Sequence, residues 1–168
     1  MAIDTKLAGF KIRYAEVEDV SIILEFIKEL AEYERMLPEV EATEDILTES
    51  LFERKMAEVL IGEFGGEPVV FALFFHNFST FLGRPGIYLE DLYVKPAWRG
   101  RGIGGIMLSF LAKLAVERKC GQLEWWCLDW NEPAIQFYHR IGAEPMDEWT
   151  VYRVHDQVLD KLARDFED

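Results

Sequence analysis

A glycine-rich run between an apolar strand pattern and an apolar helix pattern constrains the fold of this chain more than any other segment. Residues 87–94 are typical of a buried strand, and Lys95-Pro96-Ala97-Trp98 ends it. Arg99-Gly100-Arg101-Gly102-Ile103-Gly104 follows, and apolar residues then recur at helical spacing as far as Leu114. Glycine lets a backbone approach an anion closely, and a helix start presents unpaired N–H groups and the positive end of its dipole. The pattern predicts a phosphate-binding loop at the start of a helix.

The same run formally fits the dinucleotide fingerprint G-x-G-x-x-G through Gly100, Gly102 and Gly105. In a dinucleotide fold the glycines follow their strand directly, whereas four residues including a proline intervene here. The acid that would hold the ribose should end the next strand, but Glu124 lies near its start. Too little chain remains for a second mononucleotide half, so the context disfavours a dinucleotide. A helix start that binds no ligand is the other alternative. Three glycines there would lower the stability of the helix without a ligand that requires them.

The patterns on either side of the glycine run predict a mixed α/β domain that spans residues 1–168. Gly65-Gly66 between two strand patterns predicts a hairpin, and residues 76–86 are predicted to form a loop. The order is an antiparallel first half followed by a β-α-β unit around the glycine run. The predicted elements are strand 10–14, helix 18–35, a second helix with Thr43 as N-cap, strands 57–64, 68–75 and 87–94, a helix from 103, strand 122–128, helix 133–140, strand 149–154 and helix 156–166.

Charge is unevenly distributed along the chain. Eighteen basic and thirty-one acidic residues give a net charge of −13. The segment Glu16–Glu58 alone holds fourteen acidic and four basic residues. Such a surface repels phosphate backbones, so we expect no nucleic acid partner. A solvated helical surface explains the acidity, and the alternative is a surface that attracts a cationic small molecule.

Several other function classes are disfavoured by the sequence. No apolar run approaches the roughly 18 residues of a membrane span, and residues 1–11 lack a signal-peptide pattern. Cys120 and Cys127 fit neither a metal motif nor a disulfide framework, so we expect buried thiols and a cytoplasmic protein. We expect no metal, because the three histidines share no ligand spacing: His76, His139 and His155.

The glycine run resembles the R/Q-x-x-G-x-G/A signature with which the GNAT acetyltransferase superfamily binds acetyl-CoA. Residues 88–94 (Tyr-Leu-Glu-Asp-Leu-Tyr-Val) and 129–138 (Asp-Trp-Asn-Glu-Pro-Ala-Ile-Gln-Phe-Tyr) resemble two hallmark segments of spermidine/spermine N-acetyltransferases and their thialysine-acetylating relatives. Residues 27–34 extend the likeness into the first helix. The resemblance implies a GNAT-like fold, with a mostly antiparallel sheet, a central β-α-β unit and splayed strands that bind acetyl-CoA.

The resemblance also implies roles for individual positions. Pantetheine would lie in the gap between strands 87–94 and 122–128, the N–H groups from Arg99 to Gly105 would hold the pyrophosphate, and the segment after Asp129 would line the far side. The implied cofactor residues are Leu92, Tyr93, Val94, Arg99, Gly100, Arg101, Gly102, Ile103, Gly104, Gly105, Asn131, Glu132, Pro133 and Ala134.

Transfer of an acetyl group to an amine needs a base and an acid, and the resemblance provides a candidate for each. An alkylamine with a pKa near 10.4 is almost fully protonated at neutral pH, so a proton must leave before attack. Glu90 is the candidate base, directly or through water, and Tyr138 the candidate acid for the departing thiolate. Alternation in the strand predicts that Glu90 and Asp91 face opposite sides. The acceptor would contact Tyr33, Glu34, Glu90 and Asp91.

We therefore expect an N-acetyltransferase that moves an acetyl group from acetyl-CoA, by direct attack, to a primary amine of a small cation such as a polyamine, a diamine, lysine or a thialysine-like molecule. Another acceptor, such as a protein lysine or N-terminus, an aminoglycoside or an amino acid, and a non-catalytic acyl-CoA-binding domain remain alternatives. The resemblance implies a homodimer in which the C-terminal halves exchange contacts. The tryptophans are expected in core or dimer packing: Trp125, Trp126 and Trp130.

Overall fold

The strands form a six-stranded sheet whose order in space follows their order in the sequence. The computed structural model describes residues 1–166 and groups the chain into two compact units, Met1–Leu128 and Asp129–Asp168. The elements of the first unit are β1 (Ile3–Asp4), β2 (Phe10–Tyr14), α1 (Val20–Tyr33), α2 (Glu44–Leu47), β3 (Glu58–Phe64), β4 (Glu67–Ser79), β5 (Arg84–Val94), α3 (Ile103–Glu117) and β6 (Leu123–Trp125). The second unit contains α4 (Glu132–Arg140) and α5 (Asp156–Arg164).

Short helical turns complete the first unit. 3-10 helices lie at Val17–Asp19, Leu37–Glu39 and Pro96–Trp98, and a π-helix, Thr48–Glu53, continues α2. The Thr43 side chain caps α2 by accepting a hydrogen bond from the N–H of Ile46, as its sequence position predicts.

The sheet is antiparallel from β1 to β5, and β5 and β6 are parallel. The predicted hairpin between β3 and β4 is confirmed. Gly65 and Gly66 adopt φ angles of 58° and 87°, which is the left-handed geometry that a two-residue turn of matching twist requires. The mostly antiparallel sheet with one parallel β-α-β connection confirms the predicted fold class.

Helices cover both faces of the sheet. On one face, α1 and α2 pack on β3, β4 and β5, and Phe26 stacks on Phe71 with 5.0 Å between ring centroids. On the other face, α3 packs on β4, β5 and β6 with buried residues such as Met107 and Leu111. The helices α1 and α3 therefore reach β5 from opposite faces, which brings both of them next to this central strand.

Three predictions about the strands were wrong or inexact. Residues 76–86 are not a loop, because β4 and β5 continue as a hairpin in which Ser79 pairs with Arg84 and only residues 80–83 turn. The polar and aromatic residues of this segment lack the apolar alternation that predicts a strand, and the strands form here through backbone hydrogen bonds. Strand 122–128 is shorter than predicted, since β6 ends at Trp125.

The predicted strand at 149–154 is also wrong. These residues form no strand, and Trp149, Val151 and Tyr152 are exposed. A β pattern becomes a strand only where another strand provides hydrogen-bond partners, and residues 1–166 contain none for this segment.

Two further expectations about the chain can be compared with the structure. Cys120 and Cys127 are free thiols that are only half-buried, so the expectation of buried thiols was wrong. A search of residues 1–166 finds no helix with the length and apolar character that a membrane crossing requires.

Close packing at Gly62 gives a test of the sheet. A Cβ atom there would lie 2.4 Å from Val70 Cγ1 and 2.5 Å from Phe10 Cζ. We expect Gly62→Ala to lower the free energy of unfolding by about 1–3 kcal/mol, measured by urea denaturation. Gly104→Ala is the matched control, because its Cβ would meet only Val94 Cγ2 at 3.9 Å, and helix propensity should leave it neutral or more stable. Unchanged stability of Gly62→Ala would contradict this packing.

Candidate active site

The strands β5 and β6 pair over only part of their length. The paired residues are Ile87–Leu123, Tyr88–Glu124 and Leu89–Trp125. The strand β6 ends there, whereas β5 continues for five more residues, to Val94. Within the described chain, the edge of β5 beyond Leu89 therefore has no strand partner on this side. This parting of the two strands is the splay that the family resemblance predicts.

A β-bulge lies at the point where the two strands part. Leu89 pairs with Phe74 and Asp91 pairs with Leu73, so Glu90 is an extra residue without a partner in β4. The bulge changes the simple alternation of side chains along β5. It also sets which backbone groups of the following residues point away from β4.

Beyond the bulge, the register directs the backbone groups of Leu92 and Val94 to the open edge. The N–H of Lys95 donates to the carbonyl of Val69 at 2.9 Å, so alternate residues of β5 bond to β4. Leu92 and Val94 lie between those residues and present their N–H and C=O groups on the other side. The side chain of Arg99 confirms this direction, because its Nε donates to the Val94 carbonyl at 2.9 Å.

The glycine run forms a turn directly before α3. Gly100 and Gly102 have φ angles of 77° and 78°, which favour glycine, and a Cβ on either residue would project into open space. Gly102 is the N-cap of α3 and no side chain caps this end of the helix. Gly104 and Gly105 lie in the first turn. A fifteen-residue helix thus begins at the turn with its N–H groups and positive dipole end directed at the same place.

The cations around this turn are held in different ways. The Arg99 guanidinium lies over the rings of Tyr33 and Tyr93, at 5.2 Å from each centroid, and that of Arg101 lies 4.7 Å from the Trp98 ring. Both guanidinium groups are therefore held by aromatic rings near the turn. Lys95 instead extends to α1, where its Nζ lies 3.7 Å from Glu25 and 4.0 Å from Glu29.

Three carboxylates act on one another where β5 approaches the end of α1. Glu90 is exposed and Asp91 is half-buried. Burial, together with the charges of Glu90 and Glu34, raises the pKa of Asp91 from 3.8 to about 7. Burial and the charge of Glu90 also raise the pKa of Glu34. The structure therefore brings three of the predicted acceptor residues into one acidic cluster, with Tyr33 adjacent in sequence.

An aromatic group borders the acidic cluster on β4, β5 and the chain after β6. The Tyr88 ring lies 5.1 Å from that of Phe75 and meets Trp126 edge-on at 5.8 Å. Burial and the charges of Glu90, Glu124 and Asp91 raise the pKa of Tyr88. Tyr88, Trp126 and Glu124 are not among the site residues that the sequence predicts. The alternation of side chains along a strand could have identified them. Residues 124 and 126 are predicted to lie on one face of the sheet, and Tyr88 pairs with Glu124 in the neighbouring strand.

The remaining predicted site residues lie in the second unit. Asn131 is the N-cap of α4, and Glu132, Pro133 and Ala134 form its first turn, with the proline where its missing N–H costs least. Tyr138 lies in the same helix with its ring 5.8 Å from that of Phe137. The roles of these residues stay predictions. Among residues 1–166, no group of three or more His, Cys, Asp or Glu side chains is arranged to hold a metal.

Comparisons with known proteins agree with this geometry. The model of the family described as "Acetyltransferase (GNAT) family" matches residues 23–143. The thialysine N-epsilon-acetyltransferase of Bos taurus is 37% identical over 94% of this chain and 99% of its own length.

Solved structures support the same fold. An integron cassette protein from V. cholerae is 27% identical, with a TM-score of 0.78 over 94% of this chain and 99% of its own. A predicted acetyltransferase from Clostridium acetobutylicum, whose crystal structure contains acetyl-CoA, has a TM-score of 0.71 at 21% identity. The alignment with it covers 86% of this chain and 96% of that protein.

The raised pKa of Asp91 predicts a pH-dependent effect on stability. Because its pKa in the fold (about 7) exceeds the ordinary 3.8, the folded state binds this proton more tightly and loses relative stability as pH rises from about 4 to 7. Asp91→Asn removes that loss. We expect the variant to be more stable than the wild type at about pH 8, by on the order of 1 kcal/mol, and to have less advantage at about pH 5.

Urea denaturation at both pH values measures this effect. Asp4→Asn, which removes an exposed carboxylate paired with Lys11, controls for the loss of one negative charge. The same difference between Asp91→Asn and the wild type at both pH values would contradict the burial and crowding of Asp91.

Proposed function

This chain belongs to the GNAT acetyltransferase family and is an N-acetyltransferase, and from that premise we propose that it transfers the acetyl group of acetyl-CoA to a primary amine of a small cation. The observation that carries the proposal is a continuous path along β5. It begins at the glycine turn, follows the open edge at Leu92 and Val94, and ends at the acidic cluster of Glu34, Glu90 and Asp91. An anionic donor fits the first part of the path and a cationic acceptor fits the last.

Acetyl-CoA matches the chemistry of the donor half. Its pyrophosphate is suited to the N–H groups from Arg99 to Gly105, where the helix dipole and two arginines offset the negative charge of the protein. Its pantetheine amides are suited to the outward-facing backbone groups of Leu92 and Val94, because a peptide-like arm can add to an open strand edge as another strand would.

The acidic cluster matches the acceptor half. Glu34, Glu90 and Asp91 attract an ammonium group, and crowding of their charges makes proton uptake favourable there. A carboxylate with a pKa near neutrality accepts a proton at neutral pH and releases it again at little cost. Glu90 or Asp91 would take the proton of the bound ammonium, directly or through water, and leave the neutral amine that attacks. The thialysine N-epsilon-acetyltransferase relative, by its name, acts on an amine of this kind.

The transfer itself needs two further groups. The amine nitrogen attacks the thioester carbon, and the N–H of the strand near Leu92 can stabilise the negative oxygen of the tetrahedral intermediate. When the carbon–sulfur bond breaks, coenzyme A leaves as a thiolate. Tyr138 is the proposed donor of the proton that this thiolate takes up. The nitrogen loses its second proton as the intermediate collapses, and this proton restores Tyr138 through water. The amide product and free coenzyme A then leave, and the carboxylate releases the first proton to solvent.

A thiol-release assay with acetyl-CoA and an amine panel tests the proposed function. The panel contains spermidine, 1,4-diaminobutane, lysine and thialysine, with a protein N-terminal peptide and an aminoglycoside for comparison. We expect the small cations to react, with kcat/KM rising with pH as the base loses its proton. Reaction of the peptide or the aminoglycoside alone would show another acceptor class, and binding of acetyl-CoA without any thiol release would show a non-catalytic domain.

Substitution of Tyr138 tests the proposed acid. Tyr138→Phe keeps the ring and removes the phenol, so we expect kcat to fall about 100-fold or more while the Kd of acetyl-CoA, measured by calorimetry, stays the same. Tyr152→Phe is the matched control, because Tyr152 lies in the same unit and is 92% exposed. An unchanged kcat would remove Tyr138 from the mechanism.

We further propose a homodimer and a cytoplasmic location. Val158, Leu159 and Leu162 form an exposed apolar face on α5, and Trp149 and Tyr152 before it are also exposed. Apolar surface of this kind favours burial against a partner, and a second copy fits the family resemblance. The free thiols of both cysteines are consistent with a reducing compartment.

Light scattering after size-exclusion chromatography tests the homodimer. We expect the combined substitution Leu159→Glu and Leu162→Glu to halve the mass of the wild-type particle, because two charges would be placed on the apolar face of α5. Gln157→Glu, on the same helix outside that face, should leave the mass unchanged. A wild-type protein that is monomeric at all concentrations would contradict the proposal.

A further inference from the structure

Glu124 lies at the end of the aromatic group and is held in one orientation by two amides. Asn77 Nδ2 and Gln122 Nε2 donate to the same oxygen, Oε1, at 2.9 Å and 2.8 Å. Among residues 1–166 no donor to Oε2 is found. A carboxylate fixed through one oxygen presents the other to a further donor.

The surroundings of Asn77 show that this orientation has a cost. Asn77 Oδ1 is buried and has no hydrogen-bond partner within the described chain, while Nδ2 of the same amide binds Glu124. An unsatisfied buried acceptor costs about 1–3 kcal/mol. Gly86 makes room for the arrangement, because a Cβ there would lie 2.4 Å from that same Oδ1 and 2.9 Å from Gln122 Cγ. The fold thus holds Glu124 in position at the expense of its own stability.

The Tyr88 ring lies beside Glu124 and two residues along β5 from the acidic cluster. Tyr88 is opposite Glu124 in the parallel pair, and Glu90 follows two residues later on β5. Phe75 and Trp126 flank the Tyr88 ring, and Trp126 is 58% exposed. Burial and then the charges of Glu90 and Glu124 raise the pKa of Tyr88, as expected for a phenol with a carboxylate on each of two sides. The Tyr88 ring therefore has a carboxylate beside it on β6 and another farther along β5.

The spacing of the two charges defines what fits between them. Glu90 lies two residues along β5 from Tyr88, and Glu124 lies beside Tyr88 on the neighbouring strand, so the backbones of the two glutamates are about 8 Å apart. An aliphatic chain of about four methylene groups, with an amine at each end, spans a comparable distance at ordinary bond lengths. The methylene groups would pack on the rings of Tyr88 and Trp126. An ammonium group close to either ring would gain a cation–π interaction.

We infer that Glu124 determines acceptor specificity: it binds the far ammonium of a linear diamine while the near amine reacts at the acidic cluster. This inference rests on the proposed function. The same carboxylate disfavours acceptors whose far ammonium is accompanied by a carboxylate, as in the amino acid lysine, because like charges would meet near Oε2. The preferred acceptor is therefore the short α,ω-diamine, ahead of the diamino acid.

Steady-state kinetics with paired acceptors test the inference. The acceptors are 1,4-diaminobutane, butylamine, which lacks only the far ammonium, and lysine. For Glu124→Gln we expect kcat/KM for 1,4-diaminobutane to fall about 10-fold to 100-fold, mainly through KM, because a charged hydrogen bond is lost. The value for butylamine should stay the same and that for lysine should rise. Calorimetry should show the same loss in diamine affinity.

Glu117→Gln is the matched control, since it removes the same charge from an exposed helix position paired with Lys113. Equal loss for 1,4-diaminobutane and butylamine in Glu124→Gln would overturn the inference and leave the proposed function standing. Wild-type preference for lysine over 1,4-diaminobutane would also overturn it. If the wild type acetylates no amine at all, the proposed function fails together with the inference.

Discussion

The interruption of pairing between β5 and β6 is the constraint on which the rest of the site depends. Both strands are paired as far as Leu89, and the bulge at Glu90 and the early end of β6 then leave β5 with one open edge. An open edge inside a sheet is unusual, because unpaired backbone groups favour another partner. In this chain the exposed groups belong to Leu92 and Val94, and they lead from the glycine turn to the acidic cluster.

The path along β5 is positively charged at the glycine turn and negatively charged at the acidic cluster. The chain carries a net charge of −13, yet its proposed donor is a polyanion, so the helix start with Arg99 and Arg101 provides local compensation. At the other end, Glu34, Glu90 and Asp91 lie close enough to raise the pKa of Asp91 to about 7. A surface of this design is suited to bind a cation and to take up its proton, the two tasks that the proposed amine acetylation requires before bond formation.

Local patterns predicted the parts of the site that depend on local conformation. The glycine turn, the start of α3 at Ile103 and the Gly65-Gly66 hairpin each follow from backbone preferences of a few residues, and all are confirmed. The bulge at Glu90 is a matter of register between two strands, and the grouping of Glu34 with Asp91 is a matter of packing between α1 and β5. Neither leaves a periodic signal. The sequence alone suggests only a ribose-binding role for Glu124, because its partners Asn77 and Tyr88 are distant in sequence.

Hydrogen exchange measured by mass spectrometry, with and without acetyl-CoA, tests the role of the open edge most directly. If the donor binds along β5, the amides of Leu92 and Val94 and those from Gly100 to Gly105 become protected, because their N–H groups bind pantetheine and pyrophosphate. Protection confined to other segments, or no protection at saturating acetyl-CoA, would contradict the account of the open edge as the donor site.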